Sequence, residues 1–238
     1  MGFNVDGGFA EYIAIPQERL NDSNLNGIAE GISFEQATMA EPLGCCLHGQ
    51  DILLTGEGDT VLILGAGAFG SLNALLARHR NAKTVIVAEK LKTRLESIKS
   101  ASPDFIIDTT SEDLNEMVYE YTSGRGVDAI LLSTSEVGVD DRLMKLLAPK
   151  GGICAFSGLP ANSSSVLLDS NRIHYRELTV AGAYGCTSSD NSNALKLIAS
   201  GEIDVSWLIT HRISLDDIWE GIEYSEKRKG LKTTVTKF

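Results

Sequence analysis

The stretch Val61-Leu62-Ile63-Leu64-Gly65-Ala66-Gly67-Ala68-Phe69-Gly70 constrains this chain more than any other. An apolar, β-type run feeds directly into G-x-G-x-x-G. The same spacing then opens a helical pattern with Leu72, Leu75 and Leu76 on one face. A second apolar run, Thr84 to Ala88, ends at an acid, Glu89. Strand, glycine turn, helix, strand and acid in this order form the dinucleotide-binding fingerprint in its full context. Gly65 permits the tight turn, Gly67 lets backbone approach a pyrophosphate, and Gly70 lets the helix pack close to the strand. The helix N-terminus then offers free N–H groups and partial positive charge to the phosphates. S-adenosylmethionine methyltransferases also use a Gly-rich first turn followed by an acid. The third glycine and its neighbours favour a dinucleotide.

Further β-type runs begin near Asp104, Asp128, Gly151 and Leu178, with helical patterns between them. Behind Ser111, read as an N-cap, Leu114, Met117, Val118 and Tyr121 share a face, as do Val139, Leu143, Leu146 and Leu147 ahead of Pro149. Strands alternating with helices predict βαβ units in a parallel, doubly wound α/β sheet, with the ligand at the strands' carboxyl ends. The flanks differ in character. Gly8 to Pro16 reads as a strand, a polar stretch runs from Asn21 to Gly27, and two helices and a strand, Leu231 to Val235, follow the sheet pattern. We expect 1–42 and 184–238 to belong to a second lobe and 43–183 to form the nucleotide-binding domain.

Twenty-one basic against 32 acidic residues give a net charge of −11, which disfavours nucleic acid and anionic membranes as partners. No apolar run reaches the length of a membrane span. Cys45, Cys46, Cys154 and Cys186 contain no C-x-x-C and read as free thiols of a cytoplasmic protein. A helix starting near Leu43 would put Cys45 and His48 one turn apart, with Glu41 just before them. These three are the candidate catalytic residues. His79, between two arginines, reads as a basic helix cap, His174 and His211 as structural, and Lys227-Arg228-Lys229 as a solvated turn.

Four segments carry a resemblance. They are Asp6-Gly7-Gly8-Phe9-Ala10-Glu11-Tyr12, Ala40-Glu41-Pro42-Leu43-Gly44, the Gly65–Gly70 turn, and Ser157-Gly158-Leu159-Pro160 with Asn171 to Leu178. Together they resemble the zinc-type medium-chain alcohol and polyol dehydrogenases, in the sorbitol and threonine dehydrogenase branch. The resemblance implies a Rossmann domain beside a GroES-like lobe that is incomplete in this chain. In the family, a stretch preceding the first segment supplies the zinc-binding cysteine and a His-Glu pair. The chain therefore looks like a member without its N-terminal half-domain, as a truncated gene, an internal start or an excised piece would.

The resemblance further implies NAD as cofactor and a small-molecule alcohol or ketone, polyol or sugar-derived, as substrate. It puts Phe69 and Cys45 near the nicotinamide, Ser133 near the adenosine half, Ser157 and Ala183 at the carboxamide, and Lys232 near the pyrophosphate. Glu89 would hold the ribose hydroxyls and repel a 2′-phosphate, a preference that Lys90 and Arg94 temper. Of the family's metal surroundings only Glu41 is present, so zinc, expected for the family, is not expected on this chain. Two functions follow: a dehydrogenase of secondary alcohols, or a cofactor-binding module without turnover. A homo-oligomer is expected, paired through the strand near Leu178 to Ala183.

Overall fold

The computed structural model describes residues 6–20, 25–157 and 165–238. Six parallel strands form the centre: β1 (Thr60–Leu64), β2 (Thr84–Glu89), β3 (Phe105–Asp108), β4 (Val127–Leu132), β5 (Leu147–Ala155) and β6 (Thr179–Gly182). Their order, β3-β2-β1-β4-β5-β6, reverses direction between β1 and β4. In such sheets ligands bind at that reversal, beyond the strands' carboxyl ends. β1 is buried along its whole length, as expected for a strand covered on both faces. One apolar layer joins Leu62, Ile86 and Ile130 to Val118, Leu143 and Met144. The other joins Val61, Ile63, Val85 and Leu131 to Ala74, Ala77 and Ile98.

The helices, in chain order, are α1 (Gln17–Leu20), α2 (Phe34–Ala37), α3 (Ala40–Ile52), α4 (Ala68–His79), α5 (Lys92–Ser97), α6 (Leu114–Tyr121), α7 (Asp141–Leu146), α8 (Ser170–Arg176), α9 (Ser188–Ala199) and α10 (Ile218–Glu226). A third core holds α3 and α4 together with α9, through Leu43, Leu47, Leu72, Leu76, Ala194 and Ile198. Helix α9 thus packs on the sheet domain's own helices. Beyond it, β7 (Ile209–Ser214) and β8 (Lys232–Lys237) pair in parallel as a separate two-stranded sheet, with α10 against them.

Three expectations change. Residues 8–16 form no strand: the chain there is irregular, and Phe9 and Tyr12 are exposed. A strand is a pairing, and no described strand lies alongside this segment to complete a ladder. The N-cap of α6 is Asp113, not Ser111. Its carboxylate sits immediately before the helix and accepts from the N–H groups of Asn115 and Glu116 at 2.9 Å each. Leu147 leaves the helical face of Leu143 and Leu146 to open β5, which runs through Pro149 by way of an irregularity in its pairing with β4. Part of the stretch 21–27, and Gly158 to Pro160, lie outside the described residues.

Candidate functional site

The carboxyl ends of β1, β2 and β4 frame a cleft of about 600 Å³ lined by Gly65, Gly67, Phe69, Glu89, Arg94 and Ser133, among others. Gly65 has φ +96°, a left-handed conformation that favours glycine. Gly70 is required for a different reason: a Cβ there would lie 1.8 Å from the Gly65 carbonyl oxygen. Gly67 has ordinary extended backbone and stands as the N-cap of α4. No described side chain caps that helix, and its first turn holds no acid. Its leading N–H groups therefore face the cleft without an anionic partner.

Two side chains close over the turn. The Arg94 guanidinium stands where a Gly67 Cβ would approach Nη1 to 3.3 Å. Burial lowers its pKa, opposed by Glu89, and its Nε is buried without a partner. An orphaned donor beside a glycine turn suits an anion. Glu89 is 7% exposed and turned inward. Its Oε2 accepts from the Ala66 N–H at 2.8 Å, and its Oε1 from Lys90 and Leu91 at 2.7 and 2.9 Å. A carboxylate has about four acceptor positions, so with three taken one remains for a hydroxyl.

Several supports were not visible in the sequence. Fully buried Gln50 donates to the carbonyl and to the side-chain oxygen of Asn73, both at 3.0 Å, and Asn73 donates to Ser133 Oγ at 3.1 Å. This chain of bonds ties α3 and α4 to the end of β4. Arg228 follows α10 and is not a merely solvated residue. It reaches Glu136 at the cleft, and Glu136 also pairs with Lys90 Nζ at 2.6 Å. Hydrogen bonds from Lys90 and Arg228 hold the Glu136 carboxyl below its ordinary range. The unit of β7, β8 and α10 is thereby clasped across the cleft mouth.

Ser157, Ala183 and Lys232 do not line this cleft. Ser157 is exposed, and Ala183 is buried with its N–H given to the Ala155 carbonyl at 2.9 Å, leaving only its own carbonyl for a ligand. Lys232 stands on β8. Burial lowers its pKa while the Glu41 carboxylate raises it. Among the remaining histidines, His79 pairs with Glu202 at 3.5 Å, His174 meets Tyr175 edge-on, and His211 stacks on Tyr224 at 4.0 Å.

The structure does not assemble the trio Glu41, Cys45 and His48. Glu41 and His48 are seven residues apart, roughly 10 Å along a helix, too far to share one ion. Instead Glu41 and Cys45, one turn apart on α3, meet Cys186 from the β6–α9 loop, with ligand atoms all within 4.8 Å of one another. Cys45 Sγ donates to Glu41 Oε1 at 3.3 Å. Burial, and then the Glu41 carboxylate, push the Cys45 thiol well up, and burial raises Cys186. Nothing in the spacing of Cys186 signalled this meeting.

A six-stranded parallel sheet of this order, with a glycine turn at its reversal point, defines a Rossmann dinucleotide-binding fold. The chain belongs to the zinc-binding dehydrogenase family, whose pattern matches residues 68–200. It is 31% identical over 240 residues to an L-threonine 3-dehydrogenase of Ruegeria pomeroyi, covering 99% of this chain and 66% of that protein. A sorbitol dehydrogenase of Halalkalibacterium halodurans is 29% identical over 239 residues, covering 99% and 68%. The chain thus spans about two thirds of the length of these curated relatives. Among solved structures, an alcohol dehydrogenase from E. coli CFT073 complexed with NADH superposes with a TM-score of 0.85, at 25% identity, over 99% of this chain and 67% of that one. A zinc-binding dehydrogenase from Sinorhizobium meliloti bound to NADP gives 0.79 at 29% identity, over 91% and 62%. No helix among the described residues is long and apolar enough to cross a membrane.

Proposed function

We propose that this chain binds NAD(H) and serves hydride transfer between the nicotinamide and a secondary alcohol or its ketone, of polyol or sugar-derived type. The observation that carries the reading is the Gly65–Gly70 turn, with an uncapped helix N-terminus behind it and the unpaired Arg94 Nε above it. When bound, the nicotinamide would supply the hydride acceptor, the alcohol carbon giving up a hydride and its hydroxyl a proton to solvent as the ketone forms. The chain's own residues do the holding. The leading N–H groups of α4 and the Arg94 guanidinium take the pyrophosphate. Glu89 accepts from the adenosine ribose, Ser133 borders the adenosine half, and Phe69 and Cys45 flank the nicotinamide. The free carbonyl of Ala183 and the backbone at Ser157 serve the carboxamide, and Lys232 adds positive charge. The relatives' names support the substrate class, since threonine at its 3-position and sorbitol both carry secondary hydroxyls.

Free thiols at all four cysteines fit the reducing cytoplasm. Partners are the small-molecule substrate and a second copy of the chain, not nucleic acid or membrane. A second reading, cofactor binding without turnover, is favoured by one observation: among the described residues no histidine joins the Glu41 cluster. Titration with NADH and NADPH by fluorescence, followed by turnover assays on secondary alcohols, separates the readings. Saturable NADH binding with NAD-dependent oxidation supports the first, and binding without turnover the second. Absence of binding removes both.

A further inference from the structure

We propose that Glu41, Cys45 and Cys186 form a site for a thiophilic divalent cation of the zinc class, with a fourth position open to solvent or ligand oxygen. The family resemblance supplies only Glu41, and both thiols are particular to the arrangement seen here.

The geometry fits. Zinc takes sulfur at about 2.3 Å and carboxylate oxygen at about 2.0–2.2 Å, so tetrahedral donors stand roughly 3.5–3.8 Å apart. The three donor atoms lie within 4.8 Å of one another, with Cys45 Sγ already 3.3 Å from Glu41 Oε1. Closure needs only small side-chain rotations. Two ligands come from one rigid face of α3, at i and i+4. The third arrives on a loop that can press against the helix because residue 44 is glycine: a Cβ there would stand 3.1 Å from Cys186 Sγ and 3.3 Å from the Asn191 nitrogen. A cavity of about 560 Å³ opens beside Glu41 and Cys186, between Asn26, Thr187 and Asn191, and leaves room for the fourth donor.

The donor set selects the ion. Two sulfurs with one carboxylate suit zinc and its cobalt and cadmium substitutes, and disfavour magnesium and calcium. Without a cation the cluster is a carboxylate beside two neutral thiols. Binding replaces both thiol protons, which leave to solvent. Lys232 is the nearby counter-charge, and the cation would share Glu41 with it.

The test uses the whole chain, reduced with a phosphine and freed of metal by a chelator. Addition of Co²⁺ should give one bound ion per chain with a sulfur-to-metal charge-transfer band, and Zn²⁺ should displace it. Cys45→Ser and Cys186→Ser should each weaken binding by more than the roughly 10–100-fold typical of outer-shell changes and diminish the band. His48→Ala should leave both unchanged. A measurement on the unmutated chain covers variants that fail to fold. Zn²⁺ should protect Cys45 and Cys186 from alkylation, read by peptide mass spectrometry. Absence of a stoichiometric band, unprotected thiols, or loss of binding in His48→Ala would each overturn the assignment. NADH titration of the parent and of Cys186→Ser, which leave every residue assigned to the dinucleotide in place, reports that site independently, so failure of one site is not mistaken for failure of the other.

Discussion

Gly65 and Gly70 are two ends of one contact, and Gly67 between them does something different. The backbone of Gly67 is extended, so a side chain there introduces no backbone strain, and its Cβ meets the Arg94 guanidinium first. Gly67→Val should therefore keep the melting temperature close to that of the parent and lose NADH binding by calorimetry. Gly70→Ala meets backbone instead, at 1.8 Å, and should cost about 1–3 kcal/mol or more in urea denaturation. Retained NADH affinity in Gly67→Val would show that phosphate binds elsewhere. Glu89 is the subtler case. Its three backbone N–H bonds make it part of the turn as well as a ribose acceptor. Glu89→Gln should narrow the preference of NADH over NADPH, and Glu89→Ala should also lower stability by about 1–3 kcal/mol, because buried donors lose a charged partner. Equal or tighter NADPH binding by the parent would remove the NAD assignment. These residues were legible in the sequence because the fingerprint is local. Cys186 and Arg228 were not. They reach their partners across 145 and 92 residues of chain, and only the fold states which residues such contacts join.

At the scale of elements, the central strands β1, β2 and β4 could be read from apolar runs because they are buried on both faces. The strand read over residues 8–16 misled for a different reason. Pattern describes which faces a strand would have, and pairing decides whether it exists. Helix α3 is another instance: its burial follows from packing against α4 and α9 rather than from a single apolar stripe. Between the sheet's central strands one acid does local work. Asp128 on β4 accepts the Thr60 N–H at the start of β1 at 2.9 Å and both Nη groups of Arg125. Burial raises its pKa, but the bonds from Arg125 and Thr60 outweigh that and hold it low. A carboxyl held lower in the folded chain than in the unfolded one stabilises above the unfolded value and loses that contribution as pH falls through the folded one. Asp128→Asn should thus cost about 1–3 kcal/mol at neutral pH. The gap to the parent should shrink below about pH 4, near the ordinary aspartate value. Urea melts at both pH values measure it, and a gap that does not depend on pH would refute the assignment of the effect to this carboxylate's charge.

For the whole molecule, the balance is between a well-buried sheet domain and an apolar surface left open around it. Phe9 is 68% exposed, Tyr12 89% and Trp219 79%, while Ile222 is half-buried. The edge strand β6 exposes Val180 and, among the described residues, pairs on one side only, with β5. Exposed apolar surface and an unprotected edge both favour association, and closed two-fold pairing of like edges satisfies the unpaired backbone. We therefore expect a homodimer by light scattering at micromolar concentration, with β6 against β6. Val180→Lys places a charge on that edge and should shift the population to monomer while NADH still binds, since Val180 is exposed and does not line the cleft. Hydrogen exchange should rank the parts. Strands 61–65 and 84–88 should exchange slowest, and α9, held in the third core, should follow them. Residues 8–16 and 209–238 should exchange fastest, because one segment has no ladder and the other only a two-stranded sheet. The clasp of Arg228 on Glu136 is the one described ion pair that ties the unit of β7, β8 and α10 across the cleft mouth. Arg228→Ala should accelerate exchange in 209–238 and leave β1 and β2 unchanged. A monomeric parent with uniform protection would mean that the exposed apolar residues are covered within a single chain, and the edge-paired dimer would then be wrong.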